Sequence, residues 1–531
     1  MLLKIVLLVL FFAVMIGVGI SCRKSAKDVQ GFVLGSRNVG SWLTAFAFGT
    51  SYFSAVIFVG YSGQFGWDFG LASTWIGLGN ALIGSLLAWR VLGRRTRLMT
   101  LHLKSATMPD FFGKRYSSGS LKIAASVIVF IFLIPYTASL YNGLSRLFEM
   151  AFGIDYVWCV LVMAALTGIY VLVGGYMATA VNDFIQGMIM LVGITAVVLS
   201  ILKGNGGFTD AIASLSNLSS EAAPQLNGAF VSFFGPQPLR LLGVILLTSL
   251  GTWGLPQMVG KFYAIRDEEA IKKGTFISTI FALIVAGGCY FLGGFGRLYA
   301  SQIDYTAAGK PVYDSIIPAM VSNLPDLMVG IVIILVLSAS MSTLSSLVLT
   351  SGSTMTLDIV VPAARKLRGN AAFPEKRQLN CIRILVLFFI AVSSVLAIIQ
   401  ARSSVTFIAQ LMGISWGALA GAFLAPFLYG LYWKKTTPAA VWASFISGVL
   451  IMCGCMFCTF TGRIFIHPFF TSPINAGVLA MLFGLIEVPL VSLVTKIRSK
   501  DRVEEMFSCY DRKVLVNASA SLIDNETAEG N

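Results

Sequence analysis

Charge is scarce in this sequence, at 12% of 531 residues, and histidine is nearly absent, with only His102 and His467. An ordinary soluble domain carries about 25% charged residues, so the scarcity excludes a water-exposed surface over most of the chain. The eight Cys are scattered, several inside apolar runs (Cys159, Cys289, Cys453, Cys455), without a companion His at metal-ligand spacing. They read as small core hydrophobes rather than ligands. No nucleophile with a base, metal cluster or phosphate loop is visible, which argues against an enzyme and against a cofactor.

What is abundant is hydrocarbon. Hydrophobic residues make up 56% of the chain, and the mean hydropathy is +0.83. Runs of about 20 apolar residues, enough to cross roughly 30 Å of hydrocarbon as helix, recur from the first residues almost to the end. They predict an all-α integral membrane protein of thirteen transmembrane helices. The expected spans are 2–21, 41–66, 70–92, 121–148, 155–173, 180–203, 239–259, 274–299, 326–357, 379–400, 404–431, 437–460 and 472–496.

The net charge of +14 does not point to nucleic acid, because the basic residues lie in short segments between apolar runs. Basic residues favour the cytoplasmic side, and Arg23, Lys24 and Lys27 follow the first run, so that helix is read as retained with its N-terminus outside rather than as a signal peptide. The inside loops are then 22–40, 90–122, 174–179, 260–273, 358–383, 432–436 and the residues after 496; they hold about 30 of the Lys and Arg. Both histidines are placed in loops. The membrane domain covers 1–500, and 501–531 is an acidic, Ser-rich cytoplasmic tail expected to be disordered.

Without the first helix and the last two, ten helices remain, five within 41–203 and five within 239–431. An odd number per half forces opposite orientations, the pattern of inverted repeats, which place a binding site at the membrane midplane where the first helix of each half is broken. Both first helices carry a candidate break. One is Gly49-Thr50-Ser51-Tyr52-Phe53-Ser54, and the other runs from Thr248 through Gly251, Thr252, Trp253 and Gly254 to Pro256. Small and hydroxyl residues also permit close helix packing. Matched positions favour unwinding, which frees backbone groups that must line a cavity or meet a ligand.

The strongest local signal is Leu337-Ser338-Ala339-Ser340-Met341-Ser342-Thr343-Leu344-Ser345-Ser346. A single hydroxyl in a membrane helix usually bonds back to its own preceding turn. Here Ala339, Ser342, Thr343 and Ser346 share one face, with Ser345 at its margin. Hydroxyls and carbonyls can replace the hydration shell of a hard monovalent cation without making a deep trap. Asp183, about one turn into its helix, is either an intramembrane carboxylate with a cation partner or a helix-start acid at the surface. Arg146 and Glu149, spaced i, i+3 near the outer end of the fourth helix, either pair on its surface or act in an outer gate. Gln64, Asn80, Tyr136 and Asn142 are further polar positions that could face a cavity. No Lys or Arg falls within the central spans of the two broken helices.

On these residues the chain resembles the sodium:solute symporter family over about residues 1–500. The carriers of the resemblance are Ala339 to Ser346 followed by Leu357-Asp358-Ile359, Gly174-Gly175 leading to Asp183 and Gln186, Thr50 to Ser54, and Trp253-Gly254 with Pro256-Gln257. The resemblance implies a LeuT-type five-plus-five inverted repeat with one extra N-terminal and two extra C-terminal helices. It implies a first sodium site of Thr50, Phe53 and Ala339 carbonyls with Ser342 and Thr343 hydroxyls, and a second of Asp183, Ser342, Ser345 and Ser346. The chain departs from proline transporters of the family in carrying Tyr52 where they place an aspartate, and from many relatives in reading Val-Asn-Asp where they have Thr-Asp before the equivalent of Asp183.

The expected function is sodium-coupled import of a small organic solute by alternating access at the cell membrane. The partners are the solute, sodium and the lipid bilayer, with no nucleic acid and with Na+ as coupling ion rather than cofactor. Solute contacts are expected from Ser51, Ser54, Ile57, Thr252 and Trp253, near both breaks. The competing readings are a proton-coupled carrier of the same fold with Asp183 as proton site, and a channel or receptor that binds solute without pumping.

Overall fold

The computed structural model describes residues 2–307, 309–369, 371–401, 408–461, 471–496 and 499–511. Among these the chain is helical, with isolated bridges but no β-strand. That outcome follows from solvent: in hydrocarbon a backbone must satisfy its own polar groups, and a helix does so within one segment.

Ten helical stretches among the described residues are long and apolar enough to span a membrane, eleven with a bent pair at Pro238–Gly254 and Pro256–Ala264. Thirteen spans were expected, and the count turns on how bends are divided. The expected inside loop 174–179 is instead a break at one residue, Gly175 (φ 55°, ψ −149°), inside Tyr156–Gly204. Gly70 (φ 62°, ψ −141°) interrupts Val56–His102 in the same way. Only glycine adopts such dihedrals cheaply. A Cβ on Gly70 would also lie 2.2 Å from the Phe230 carbonyl oxygen.

Both candidate breaks are real interruptions with matching geometry. The first broken helix runs Ser41–Tyr52, opens at Phe53 (φ −88°, ψ 119°) and resumes through Val56–Tyr61 and Ser62–Phe69. The second runs Pro238–Leu250, tightens over Gly251–Gly254, opens at Leu255 (φ −88°, ψ 119°) and resumes as Pro256–Ala264, bent by 46°. Pro256 opens the resumed helix, where a missing N–H costs nothing.

Burial sorts the helices by polarity. In the first helix only 17% of the most apolar window is buried, whereas in Asp326–Leu367, which contains the hydroxyl helix Asp326–Met355, the figure is 78%. Hydroxyls facing lipid would be costly, so the Ser-rich helix takes the centre. Glycines set the closest crossings. A Cβ on Gly66 would lie 2.0 Å from the Gly293 carbonyl carbon and oxygen, so the two backbones touch.

Several loop expectations change. His102 ends the helix Arg94–His102 rather than lying in a loop; His467 lies outside the described residues. The tail is not extended from its start, since Lys500–Phe507 is helical and sets Phe507 and Tyr510 against the Arg115 and Arg95 guanidiniums. Residues 512–531 lie outside the described residues. Cys159, Cys289 and Cys455 are buried as expected, but Cys453 faces outward. Arg37, on the short segment before the first broken helix, donates to the Tyr263 and Ser105 carbonyls, and burial lowers its pKa from the usual arginine value.

Candidate functional site

The unwinding at Phe53 leaves the carbonyls of Thr50 and Phe53 without helical donors, and both turn toward the hydroxyl helix. Thr343 Oγ1 lies 3.1 Å from the Thr50 oxygen, 3.3 Å from the Phe53 oxygen and 3.1 Å from the Ala339 oxygen. Ser342 Oγ lies 3.3 Å from the Thr50 oxygen and 3.2 Å from the Ala339 oxygen. Five oxygens from two helices thus share one small volume, and Thr50, Ser342 and Thr343 are fully buried. Each hydroxyl now donates to a carbonyl. Rotating its proton away presents a lone pair instead, so three carbonyls and two hydroxyls form a neutral oxygen cluster that could hold a hard cation.

One turn further along the hydroxyl helix is a second polar cluster of different character. Asp183 is fully buried inside the protein rather than exposed at a helix start. Its partner is Lys261, whose Nζ lies 3.6 Å from Asp183 Oδ2 and donates to Ser346 Oγ at 2.9 Å. Ser346 Oγ is in turn 2.7 Å from Ser51 Oγ. Ser345 donates to the Ser342 carbonyl at 2.9 Å. The expected inside loop from 260 is therefore corrected at its start: the resumed second helix extends to Ala264 and brings Lys261, in its last turn, inside the protein. Ser51 is drawn into this cluster rather than left open to a solute.

A third group surrounds the break on the opposite side. Tyr52 stacks on Trp416 with centroids 5.8 Å apart, and Tyr136 meets Trp416 edge-on at 6.0 Å. The Tyr52 hydroxyl donates to the Thr248 carbonyl at 2.7 Å, tying the two breaks together. Asn80 Oδ1 accepts from Thr248 and Ser249, at 3.0 Å each. Ser54 Oγ, Tyr136 OH, Trp416 Nε1, Tyr61 OH, Tyr290 OH and Asn80 Nδ2 are buried without a well-formed hydrogen bond among the described residues. They face one another, the Tyr136 hydroxyl toward Ser54 and Trp416 and the Tyr290 hydroxyl toward Asn80, and a polar ligand could complete their hydrogen bonding.

Of the expected solute contacts, Ser54 and Ile57 are buried beside the first break. Thr252 and Trp253 instead point at the neighbouring helix, donating to the Gly84 oxygen at 3.3 Å and the Ile83 oxygen at 3.1 Å. Asn142 is buried and Gln64 half-buried. Glu149 is exposed, and the side chain of Arg146 lies outside the described residues. Sequence reading missed Lys261, Trp416, Tyr61 and Tyr290. Only Lys261 had a usable signal, its place one turn beyond Pro256.

A family profile described as the sodium:solute symporter family matches residues 32–460. The osmoregulated proline transporter OpuE of Bacillus subtilis is 30% identical over 498 residues, covering 93% of this chain and 95% of its own. The sodium/proline symporter 2 of Staphylococcus saprophyticus is 28% identical over 456 residues, 84% of each chain. Among solved structures, a Na+-coupled sialic acid symporter in a substrate-bound outward-open state matches with TM-score 0.74 at 15% identity, over 94% of this chain and 99% of that one. A manganese transporter of Eremococcus coleocola matches with TM-score 0.51 at 13% identity, over 88% and 95% of the two chains. At such identities these structures speak for the fold alone, the LeuT type. A profile match of that extent, with relatives aligned along nearly the whole chain, makes this multi-pass membrane protein a member of the sodium:solute symporter family that imports a solute together with sodium.

Proposed function

We propose that one sodium ion binds between the carbonyls of Thr50, Phe53 and Ala339 and the hydroxyls of Ser342 and Thr343, and that the solute binds in the aromatic and polar cage beside Ser54. The observation that carries this reading is Thr343, whose hydroxyl reaches carbonyls on both the broken helix and its own helix. Phe53 donates its carbonyl to the cation cage, and Ser54, the next residue, faces the solute cage. An ion that fixes the first therefore orders the second, and reciprocity requires the solute to raise sodium affinity by the same factor. The two breaks act as first helices of inverted halves, about 41–203 and 239–431, rocking about this point.

The cage holds phenols, an indole, an amide and a hydroxyl but no carboxylate, guanidinium or ammonium. It suits a small neutral or zwitterionic solute whose charged groups are met by backbone dipoles at the breaks and by the sodium ion. Proline, the solute named for several relatives, is one candidate of that class. The basic segments set the N-terminus outside and the C-terminus in the cytoplasm. Entry is then driven by the sodium gradient and by the membrane potential, about 2.3 kcal/mol per charge per 100 mV.

The test is uptake into proteoliposomes across amino acids, sugars, monocarboxylates and vitamins, with and without sodium. Accumulation above the outside concentration, abolished by a sodium ionophore, is the expected result. Undiminished uptake from sodium-free buffer at about pH 5.5 would replace sodium by protons as the coupling ion, and equilibration without accumulation would make the protein a passive pathway.

A further inference from the structure

We infer that the Lys261 ammonium is a cation built into the chain at a second cation site, so that this carrier binds one sodium ion and not two. The inference rests on the sodium reading of the first site and concerns different atoms.

Asp183, Ser345, Ser346 and Ser51 place one carboxylate and three hydroxyls in a small buried region next to the first cage. A fully buried carboxylate needs a positive partner, and hydroxyl oxygens beside it complete a cation site. Here the positive partner is a side chain. Lys261 is 3% exposed, its Nζ faces Asp183 Oδ2 and Ser346 Oγ, and it lies 5.4 Å from the centroid of the Tyr176 ring. An ammonium in this position supplies the charge a mobile cation would bring. Two like charges sharing one carboxylate in a low-dielectric interior repel strongly, so sodium is excluded while Lys261 stays.

The tether gives the charge a second property. Lys261 stands on the helix that resumes after the second break, whereas Asp183 and Ser346 stand on other helices, so the contact links three elements that bound one cleft. Tyr176, Thr179, Gln257, Lys261, Ser346 and Ser353 line that cleft. The link is loose: at 3.6 Å the ammonium leaves both Asp183 oxygens without a well-formed hydrogen bond. Lys261 can therefore let go of Asp183 when its helix moves, without the entry or exit of an ion.

The experiment is saturation binding of radioactive sodium to the purified full-length protein in detergent, with no solute present. The wild-type chain is expected to bind one ion. Lys261→Ala, which frees Asp183 and the hydroxyls, is expected to bind two, and Lys261→Ala with Asp183→Asn one again. Lys261→Arg keeps a cation in place and stays at one. Two ions on the wild type, or one on a monodisperse Lys261→Ala protein, overturns the inference. The wild-type count decides against it even if the alanine variant does not fold. No sodium on the wild type would instead overturn the first-site reading, and this inference with it.

Discussion

The hydroxyl of Thr343 lies 3.1 Å from the carbonyl oxygen of Thr50, although the two residues are 293 positions apart in the chain. The contact exists because two local events coincide. The helix opens just after Tyr52, which strips Thr50 of its helical donor, and Thr343 stands on the one face of its helix that carries stacked hydroxyls. Neither event alone would bring these oxygens together.

If these oxygens hold sodium, removing a hydroxyl removes a ligand. Ser342→Ala and Thr343→Ala should each raise the sodium concentration for half-saturation by about 5- to 150-fold, the equivalent of roughly 1–3 kcal/mol. Thr343→Ser should stay near the wild type. Ser353 bonds back only to Leu349 and Thr350, so Ser353→Ala should change little. Sodium titration of the wild type and the four variants decides the matter, and equal constants throughout would remove the cage.

The proposed solute cage predicts the opposite selectivity. Tyr136→Phe keeps the ring against Trp416 and deletes only a hydroxyl, so it should raise the solute KM by about 5- to 20-fold, as loss of one hydrogen bond does. Sodium binding measured without solute should not move. A shift in sodium affinity with no change in KM would place Tyr136 outside the solute site.

Asp358 closes a buried ion cluster at the far end of the hydroxyl helix. It accepts from Thr107 at 2.6 Å and pairs with Lys122 at 3.1 Å, while Lys122 also reaches Asp110 at 2.8 Å. Lys122→Met strands the Asp358 carboxylate and should cost about 3–5 kcal/mol. Lys122→Met combined with Asp358→Leu should cost less than the single change, because no unpaired charge is left. Thermal unfolding of the detergent-solubilised proteins gives the order; a double variant less stable than the single one would refute it.

Gly66 and Gly293 fix a helix crossing that no side chain fits. Gly66→Ala places a methyl 2.0 Å from Gly293 backbone atoms and should destabilise by at least about 1–3 kcal/mol. Gly454→Ala, where a Cβ meets nothing within 4 Å, should be neutral. Equal melting temperatures for the two variants would mean the crossing is not tight.

The breaks and the hydroxyl face were legible because their signals are local. Proline and glycine interrupt a helix wherever they stand, and Ser342, Thr343 and Ser346 share a face by helical period alone. Trp416, Tyr61 and Tyr290 were not legible, since one aromatic ring in an apolar run looks like any other in a chain that is 12% aromatic. Thr252 and Trp253 lay close to a break but turned to the Gly84 and Ile83 carbonyls, because the rotation of the second broken helix is set by what it packs against. Lys261 was assigned to a loop by its basic neighbours, and the extra turn of helix up to Ala264 moved it inside.

The sequence by itself determined that the chain lives in lipid, which helix is polar at its centre and where two helices open, because hydropathy, period and backbone chemistry act within a few residues. Only the tertiary structure decided that Lys261 meets Asp183, that Ser51 meets Ser346 and that three carbonyls converge on two hydroxyls. Those meetings depend on how helices rotate and cross, which is settled by packing between residues far apart in the chain.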